Sequence, residues 1–393
     1  MSGATGALTA DPTWDLLEDD TIVILGRARE YLSGLTDLIE ECERDRRFPA
    51  EIVRPLVDVG FIRGPIPISD GGLGLTHLQS ASLMEEAGRA WASIRTTTNI
   101  MTLVAELLSH AGTPDQKKEF LTPLLSGDRL GWFAITEREA GSDAGAVATR
   151  AEPLPGGGYR LSGVKSYITN ANHGDFGIVL ATVDPNLGSR GITAFLVERS
   201  DGYRTIEHPH MPVRAVSSCD VELDRVVVGP DRVLGEVGRG LSLAMHGVNG
   251  GRLNVSAGCV GIAQACLDAS RTHVTTRKQF GKQLAEFQLV QKMVVDIATR
   301  TAAARELYRS SARLLDSGID ARVACSMAKY FCAETAVAVA TEAVQVHGAI
   351  GLTEGHPVER FFRDAREATI PEGTSQMQIL QIGRALLGVS ALR

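Results

Sequence analysis

Between about Arg129 and Arg239 the hydrophobic pattern of this chain changes period, and that change limits its fold more than any other feature. On both sides the apolar residues recur at helical spacing. From Asp19 to Arg46, Ile22, Ile24, Leu25, Ala28, Tyr31, Leu32, Leu35 and Leu38 stand mostly three or four apart. Further helices are predicted over Leu78 to Arg89, Ser93 to His110 and Pro114 to Leu125, with Gly71, Gly72 and Gly74 interrupting before the first of them. Within the central stretch the text turns to short β-branched runs: Gly177 to Thr182, Ile192 to Val197 and Asp220 to Val228. Turn residues at Gly156–Gly158, Asn186–Gly188 and Asp201–Gly202 separate them. From Leu241 onward the helical period returns, with a broad apolar stripe through Phe287, Val290, Met293, Val294, Ile297, Ala304 and Leu307. The expectation is an α+β chain: an N-terminal helical domain over residues 1–128, a central antiparallel β domain over 129–239, and a C-terminal helical bundle over 240–393. Apolar residues spread beyond one face of the bundle helices, which predicts packing against another subunit.

A net charge of −7 without Lys/Arg runs argues against nucleic acid as a partner. No run of 18 apolar residues predicts a membrane span, and Met1 to Asp11 has no secretory pattern. The six cysteines form no CxxC pair, and several sit in alanine-rich helical text, where a free thiol packs as a small hydrophobe. A reduced, cytoplasmic setting is expected. No His/Cys/Asp cluster has metal-ligand spacing, so no metal is expected.

Five loops carry possible chemistry. Thr136-Glu-Arg-Glu-Ala-Gly-Ser-Asp143 follows Trp132-Phe-Ala-Ile135, and its Gly141–Ser142 pair offers backbone N–H groups and a hydroxyl suited to a pyrophosphate or a ring edge. In Lys165-Ser-Tyr-Ile-Thr-Asn170, Tyr167 and Thr169 are two apart and would face one side of a strand. Arg277-Lys-Gln-Phe-Gly-Lys-Gln283 joins a guanidinium fork to Phe280. Gln345-Val-His-Gly-Ala-Ile-Gly351 is a glycine-rich break after a helix, and Ile370-Pro-Glu-Gly-Thr-Ser-Gln376 isolates one carboxylate before the last helix. Each alone reads equally well as a turn, a half-buried strand, a basic loop, a helix stop or an exposed charge favoured by the helix dipole.

In this order and at these separations, the five together resemble the acyl-CoA dehydrogenase family from about residue 15 to 388. The resemblance implies a C-terminal four-helix bundle, bound FAD, a homo-oligomer (a tetramer or dimer), an acyl-CoA or acyl-carrier-protein substrate and an electron-transferring flavoprotein as acceptor. It implies that Phe133, Ile135 and Thr136 face the isoalloxazine, with Tyr167 covering it. Gly141, Ser142 and Thr169 would approach the ring and pyrophosphate. Arg277, Phe280, Gln288, Gln345 and Gly348 would meet the nucleotide end across a subunit boundary, and Thr374 and Gln376 would hold the adenosine part from within the subunit. Glu372 would be the base that removes the α-proton while a β-hydride passes to flavin N5, with Gly373, Ser142 and Arg252 beside the substrate. Some branches place the base before an Arg early in the first bundle helix. Here Gly251 holds that position ahead of Arg252, which leaves Glu372.

Tyr167 stands where many members have Trp, Arg138 where Pro is common, and Ala349 where a second glycine is usual. Arg95, in Ser93-Ile-Arg-Thr-Thr-Thr-Asn99, resembles the segment in which some members hold a distal substrate carboxylate. That points to a short, dicarboxylic acyl chain; the competing expectation is an ion pair with Glu85 or Glu86. His347 and His246 are expected to be packing residues. An oxidase or a flavin monooxygenase of the same fold is the alternative activity, and Glu372 weighs against the monooxygenase.

Overall fold

The computed structural model describes residues 17–391. The N-terminal reading of Met1 to Asp11 therefore lies outside the described residues. The first helical zone comprises α1 (Asp19–Ser33), α2 (Thr36–Asp45), α3 (Val53–Val59), α4 (His77–Ala90), α5 (Ala92–Ala111), α6 (Pro114–Gln116) and α7 (Thr122–Leu125). The stretch of helical spacing from Asp19 to Arg46 forms two helices, parted at Gly34, whose N–H closes α1 on the carbonyls of Tyr31 and Leu32. Thr76 and Thr113 cap α4 and α6 reciprocally with Gln79 and Gln116, which fixes where those helices begin.

The central zone holds β1 (Gly131–Ala134), β2 (Arg150–Pro153), β3 (Tyr159–Thr169), β4 (Phe176–Thr182), β5 (Ile192–Glu198), β6 (Arg204–Glu207), β7 (Ser218–Val228) and β8 (Val233–Leu234). They form one sheet in the order β6-β7-β3-β2-β4-β5-β8, with β1 added alongside β4. The pairing is antiparallel as expected, except that β1 runs parallel to β4 and β2 meets β4 in one parallel bridge. Phe176, Ile178 and Leu180 of β4 bury one face against α5 and α7, while Val179 and Ala181 bury the other within the sheet's own core. This two-sided burial explains why β4 reads as a continuous apolar run.

The last zone begins with α8 (Gly240–Thr276), then a small hairpin of β9 (Lys278–Gln279) and β10 (Lys282–Gln283). It ends with α9 (Gln288–Asp316), α10 (Arg322–His347), α11 (Pro357–Glu367) and α12 (Ser375–Leu387). Helix α8 is the common element of the helical zones: α4, α5, α9 and α10 all pack against it. Its crossing with α4 is exceptionally close. A Cβ at Gly88 would lie 2.2 Å from the Gly258 carbonyl oxygen, and one at Gly261 would lie 2.0 Å from that of Glu85. Any side chain at these positions would force the two helices apart. Beside that crossing, α4 and α9 also meet directly: Glu85 accepts from Arg305 Nε at 2.9 Å and from the Tyr308 hydroxyl, a buried polar tie between them. All six cysteines are free and buried, as the packing reading expects. With the turn after it, α10 is, among the described residues, the one helix long and apolar enough to cross a bilayer, but it lies within the bundle between α8, α9 and α12.

Candidate active site

The loop between α11 and α12 is bent by two successive left-handed residues, Glu372 at φ 56° and Gly373 at φ 84°. Glycine takes this conformation freely and glutamate does not, so the surroundings must hold it. Lys329 Nζ of α10 donates to the Gly373 carbonyl at 2.8 Å, and Gln378 Nε2 of α12 donates to the same oxygen at 2.9 Å. Gln378 also reaches the Glu372 carbonyl at 3.0 Å, and Thr374 caps α12 by accepting from Met377 N–H at 3.2 Å. The N–H of Glu372 itself has no acceptor among the described residues.

The Glu372 side chain is thereby laid across α8. A Cβ at Gly251 would stand 2.7 Å from Glu372 Cδ and 2.8 Å from each carboxylate oxygen, so only glycine leaves room for it. Asn99 Nδ2 of α5 donates to Glu372 Oε1 at 3.3 Å, and Asn254 Nδ2 of α8 donates in turn to Asn99 Oδ1 at 3.1 Å. Burial pushes the Glu372 pKa up, while the Asn99 contact and the charges of Arg252, Lys329 and Arg95 pull the other way. A carboxylate removed from water yet kept ionisable by a few donors is suited to taking a proton from carbon.

Sequence reasoning missed the polar groups around this carboxylate. Asn99, Lys329 and Gln378 hold Glu372 or its loop, and Asn254 holds Asn99. Glu106 of α5 lies close enough for Glu372 to repel its charge, and burial together with that repulsion raises its pKa to about 8. One signal was available: Glu106 is the sole acidic residue in the α5 sequence.

The expected cofactor residues fall into three groups. On β1 and the loop after it, Phe133, Ile135 and Thr136 are half-buried, whereas Gly141 and Ser142 are exposed. The Thr136 carbonyl accepts from Ser166 N–H at 2.9 Å, which ties the loop to β3. On β3, Tyr167 sits in a bulge at φ 59° and is 64% exposed, while Thr169 is half-buried. On the bundle, Phe280 tips the β9–β10 hairpin at φ 52° and is 93% exposed, with Arg277 exposed at its base. Gln288, Gln345 and Gln376 are exposed at helix ends, and Gly348 (φ 67°) has open space where a Cβ would point. Two exposed aromatic rings, exposed amide side chains, a free arginine fork and open glycine backbone at 141 and 348 fit a flat heterocycle joined to an anionic chain. The structure brings Glu372, Gly373 and Arg252 together, with Arg252 Nε 3.5 Å from the Glu372 carbonyl. The hairpin bearing Phe280 is not part of that cluster.

Arg95 is buried, and its Nη2 donates to Glu367 Oε2 at 2.6 Å, while its Nε has no partner. The ion-pair partner is therefore neither Glu85 nor Glu86. Those carboxylates on α4 engage Arg305 and Arg29, whereas Arg95 on α5 turns past Gly258 of α8 toward the end of α11. His347 is buried with Nδ1 2.8 Å from the Ala343 carbonyl, and His246 stacks on His110 at 3.8 Å between ring centroids, both packing arrangements.

Family models match in three consecutive pieces: the acyl-CoA dehydrogenase N-terminal domain over residues 20–128, the middle domain over 132–226 and the C-terminal domain over 238–387. The chain is 37% identical to the caffeyl-CoA reductase–Etf complex subunit CarC of Acetobacterium woodii, covering 90% of this chain and 93% of that protein. It is 33% identical to the mitochondrial short/branched chain specific acyl-CoA dehydrogenase of Rattus norvegicus, covering 98% and 89%. In structure it is similar to a glutaryl-CoA dehydrogenase from Mycobacterium smegmatis in complex with FADH2, with a TM-score of 0.92, 25% identity and 98% of each chain covered.

Proposed function

Because the chain belongs to the acyl-CoA dehydrogenase family of FAD-dependent oxidoreductases, we propose that it interconverts a short acyl thioester and its α,β-unsaturated form, with Glu372 handling the α-proton. The observation that carries this reading is the Glu372 carboxylate, half-buried over Gly251 and addressed by Asn99. The α-proton of a thioester is too weakly acidic for a solvated carboxylate, so the base must be desolvated and the thioester oxygen must be hydrogen-bonded. The unengaged N–H of Glu372 is the donor available to that oxygen. FAD, when bound, would supply the acceptor or donor for the β-hydride. Ionised Glu372 removes the α-proton in the oxidative direction; in the reductive direction protonated Glu372 returns it.

The thioester is carried by CoA or by an acyl carrier protein, and electrons pass to or from an electron-transferring flavoprotein. The active assembly is a cytoplasmic homo-oligomer, a tetramer. Phe280 and Leu289, exposed at the hairpin and the start of α9, and Ile350 and Leu352, exposed after α10, are the apolar surface that supports this. A dicarboxylic acyl chain is the second reading for the substrate, and the partnerless Arg95 Nε favours it. Turnover under air without another acceptor distinguishes an oxidase.

The test is anaerobic mixing of the purified yellow protein with short acyl-CoAs while flavin absorbance is followed. Glu372→Gln should keep the colour and slow bleaching by about 10²–10⁴-fold. Bleaching at the wild-type rate would remove Glu372 from the role.

A further inference from the structure

Behind the base, beside α5 and α8, a small, mostly apolar pocket holds a few polar side chains that α,β-dehydrogenation alone does not require. Glu106 points into it from α5. Its oxygens lie 3.4 and 3.5 Å from the position a Cβ would take at Gly250, next in sequence to the Gly251 that supports Glu372. The two carboxyl groups therefore rest on consecutive residues of one helix. Glu106 is half-buried and has no hydrogen-bond partner among the described residues. Across the same space the buried Ser80 Oγ of α4 has no partner either. Together with Thr102, Met84, Leu253 and Asn254, these groups enclose a cavity of about 10 Å³, room for roughly one water-sized group.

The buried Ser80 hydroxyl without a partner is costly, the half-buried Glu106 carboxyl faces the same small space, and a group that hydrogen-bonds to both removes that cost. We propose that Glu106 is a specificity-determining residue that, with Ser80, receives a hydroxyl at the far end of a short acyl chain. The proposal rests on the acyl-thioester reading above but not on a dicarboxylic substrate. A protonated carboxyl and a serine hydroxyl each donate and accept one hydrogen bond, and a hydroxyl complements both. Burial and the neighbouring Glu372 charge keep Glu106 protonated near neutral pH. A carboxylate end would add a negative charge beside Glu372 in a space whose one basic lining group, His77, is already turned to Asp316 at 2.8 Å. An ammonium end would require Glu106 to ionise. A plain alkyl end leaves both polar groups unsatisfied.

The test compares butyryl-, 4-hydroxybutyryl-, 4-aminobutyryl- and glutaryl-CoA as anaerobic reductants of the holoenzyme, using ratios of kcat/KM within each variant so that losses common to all substrates cancel. The wild type should favour 4-hydroxybutyryl over butyryl by about 10-fold, the size of one well-placed hydrogen bond. Glu106→Leu should bring that ratio to one or below, and Glu106→Gln should keep a preference because an amide still donates and accepts. Should Glu106→Leu fail to fold, Ser80→Ala must lower the ratio by itself. A ratio unchanged in Glu106→Leu or, failing that, in Ser80→Ala, or a wild type preferring butyryl, 4-aminobutyryl or glutaryl, overturns the proposal. If no thioester bleaches the flavin, the dehydrogenase reading fails. Glu106 is then judged by the same ratio in Kd, read from perturbation of the flavin spectrum.

Discussion

Gly251→Ala tests the site at its tightest contact. The added Cβ would stand 2.7 Å from Glu372 Cδ and 2.8 Å from both oxygens, distances that real side chains do not tolerate. Helix α8 is pinned by α4 at Gly258 and Gly261, so the carboxylate, not the helix, must yield. Restoring an ordinary van der Waals separation moves it by about 0.7 Å. A displacement of about 1 Å in a reacting group costs about 10²-fold in rate, so a loss between 10- and 100-fold is expected in anaerobic flavin reduction. The same change should stabilise the protein, because alanine is better than glycine in a helix interior by about 1 kcal/mol. Lower activity with an equal or higher thermal midpoint is thus the expected pair of results, and a general packing defect would lower both. Wild-type reduction kinetics in Gly251→Ala would refute the placement of Glu372 as the base.

Asn99→Ala removes a hydrogen bond that favours the ionised form of Glu372. The base's pKa should rise, and the acid limb of the kcat/KM pH profile should move to higher pH; an unmoved limb would show that Asn99 does not tune it. Glu106 carries a raised pKa of about 8 against 4.5 for an ordinary glutamate. It therefore favours the fold least above its raised pKa: from pH 4.5 toward pH 8 the unfolded chain has released a proton that the folded chain still holds, and stability falls with rising pH. At pH 7 the loss is about 3 kcal/mol. Glu106→Gln should accordingly flatten the decline in thermal midpoint between pH 5 and 8, and parallel profiles would contradict the burial argument. Arg95→Ala leaves Glu367 without its partner and should destabilise by about 3–5 kcal/mol. If Arg95 also reads a distal carboxylate, glutaryl-CoA turnover should fall far more than butyryl-CoA turnover; equal losses assign it to the ion pair alone.

What could be read from the chain differs between loops and helix faces for a physical reason. The loops Thr136–Asp143, Lys165–Asn170, Arg277–Gln283 and Ile370–Gln376 declare themselves because residues of unusual type stand at fixed short separations, and local backbone demands put them there. Four of the seven described non-glycine residues with positive φ, Tyr167, Asn170, Phe280 and Glu372, fall in those loops. Zonal periodicity was equally plain, since burial on one face imposes it along each element. The parallel β1–β4 pairing left no such trace, because strand direction depends on the connections around a strand and not on its own alternation. Arg95 was paired with the wrong helix for a related reason. Glu85 and Glu86 are near it in sequence, but the carboxylate it meets is 272 residues away, brought there by the packing of α5 and α11 across α8.

Glu106, Asn99 and Asn254 mark the same boundary from the functional side. Each lies in a helix whose text is dominated by Ala, Leu, Val and Thr, where one polar residue per few turns is ordinary. Their significance arises only where α5 meets α8, and glycines at 250, 251 and 258 leave room there for Glu106, Glu372 and Arg95 closer than any other residue allows. Those glycines read in sequence as helix-weakening positions, a cost of about 1 kcal/mol each. In the fold, Gly251 makes room for the carboxylate on which the chemistry depends and Gly250 for the acid beside it. Substituting either should therefore change activity or substrate choice before it costs stability, the reverse of the order expected from helix propensity alone.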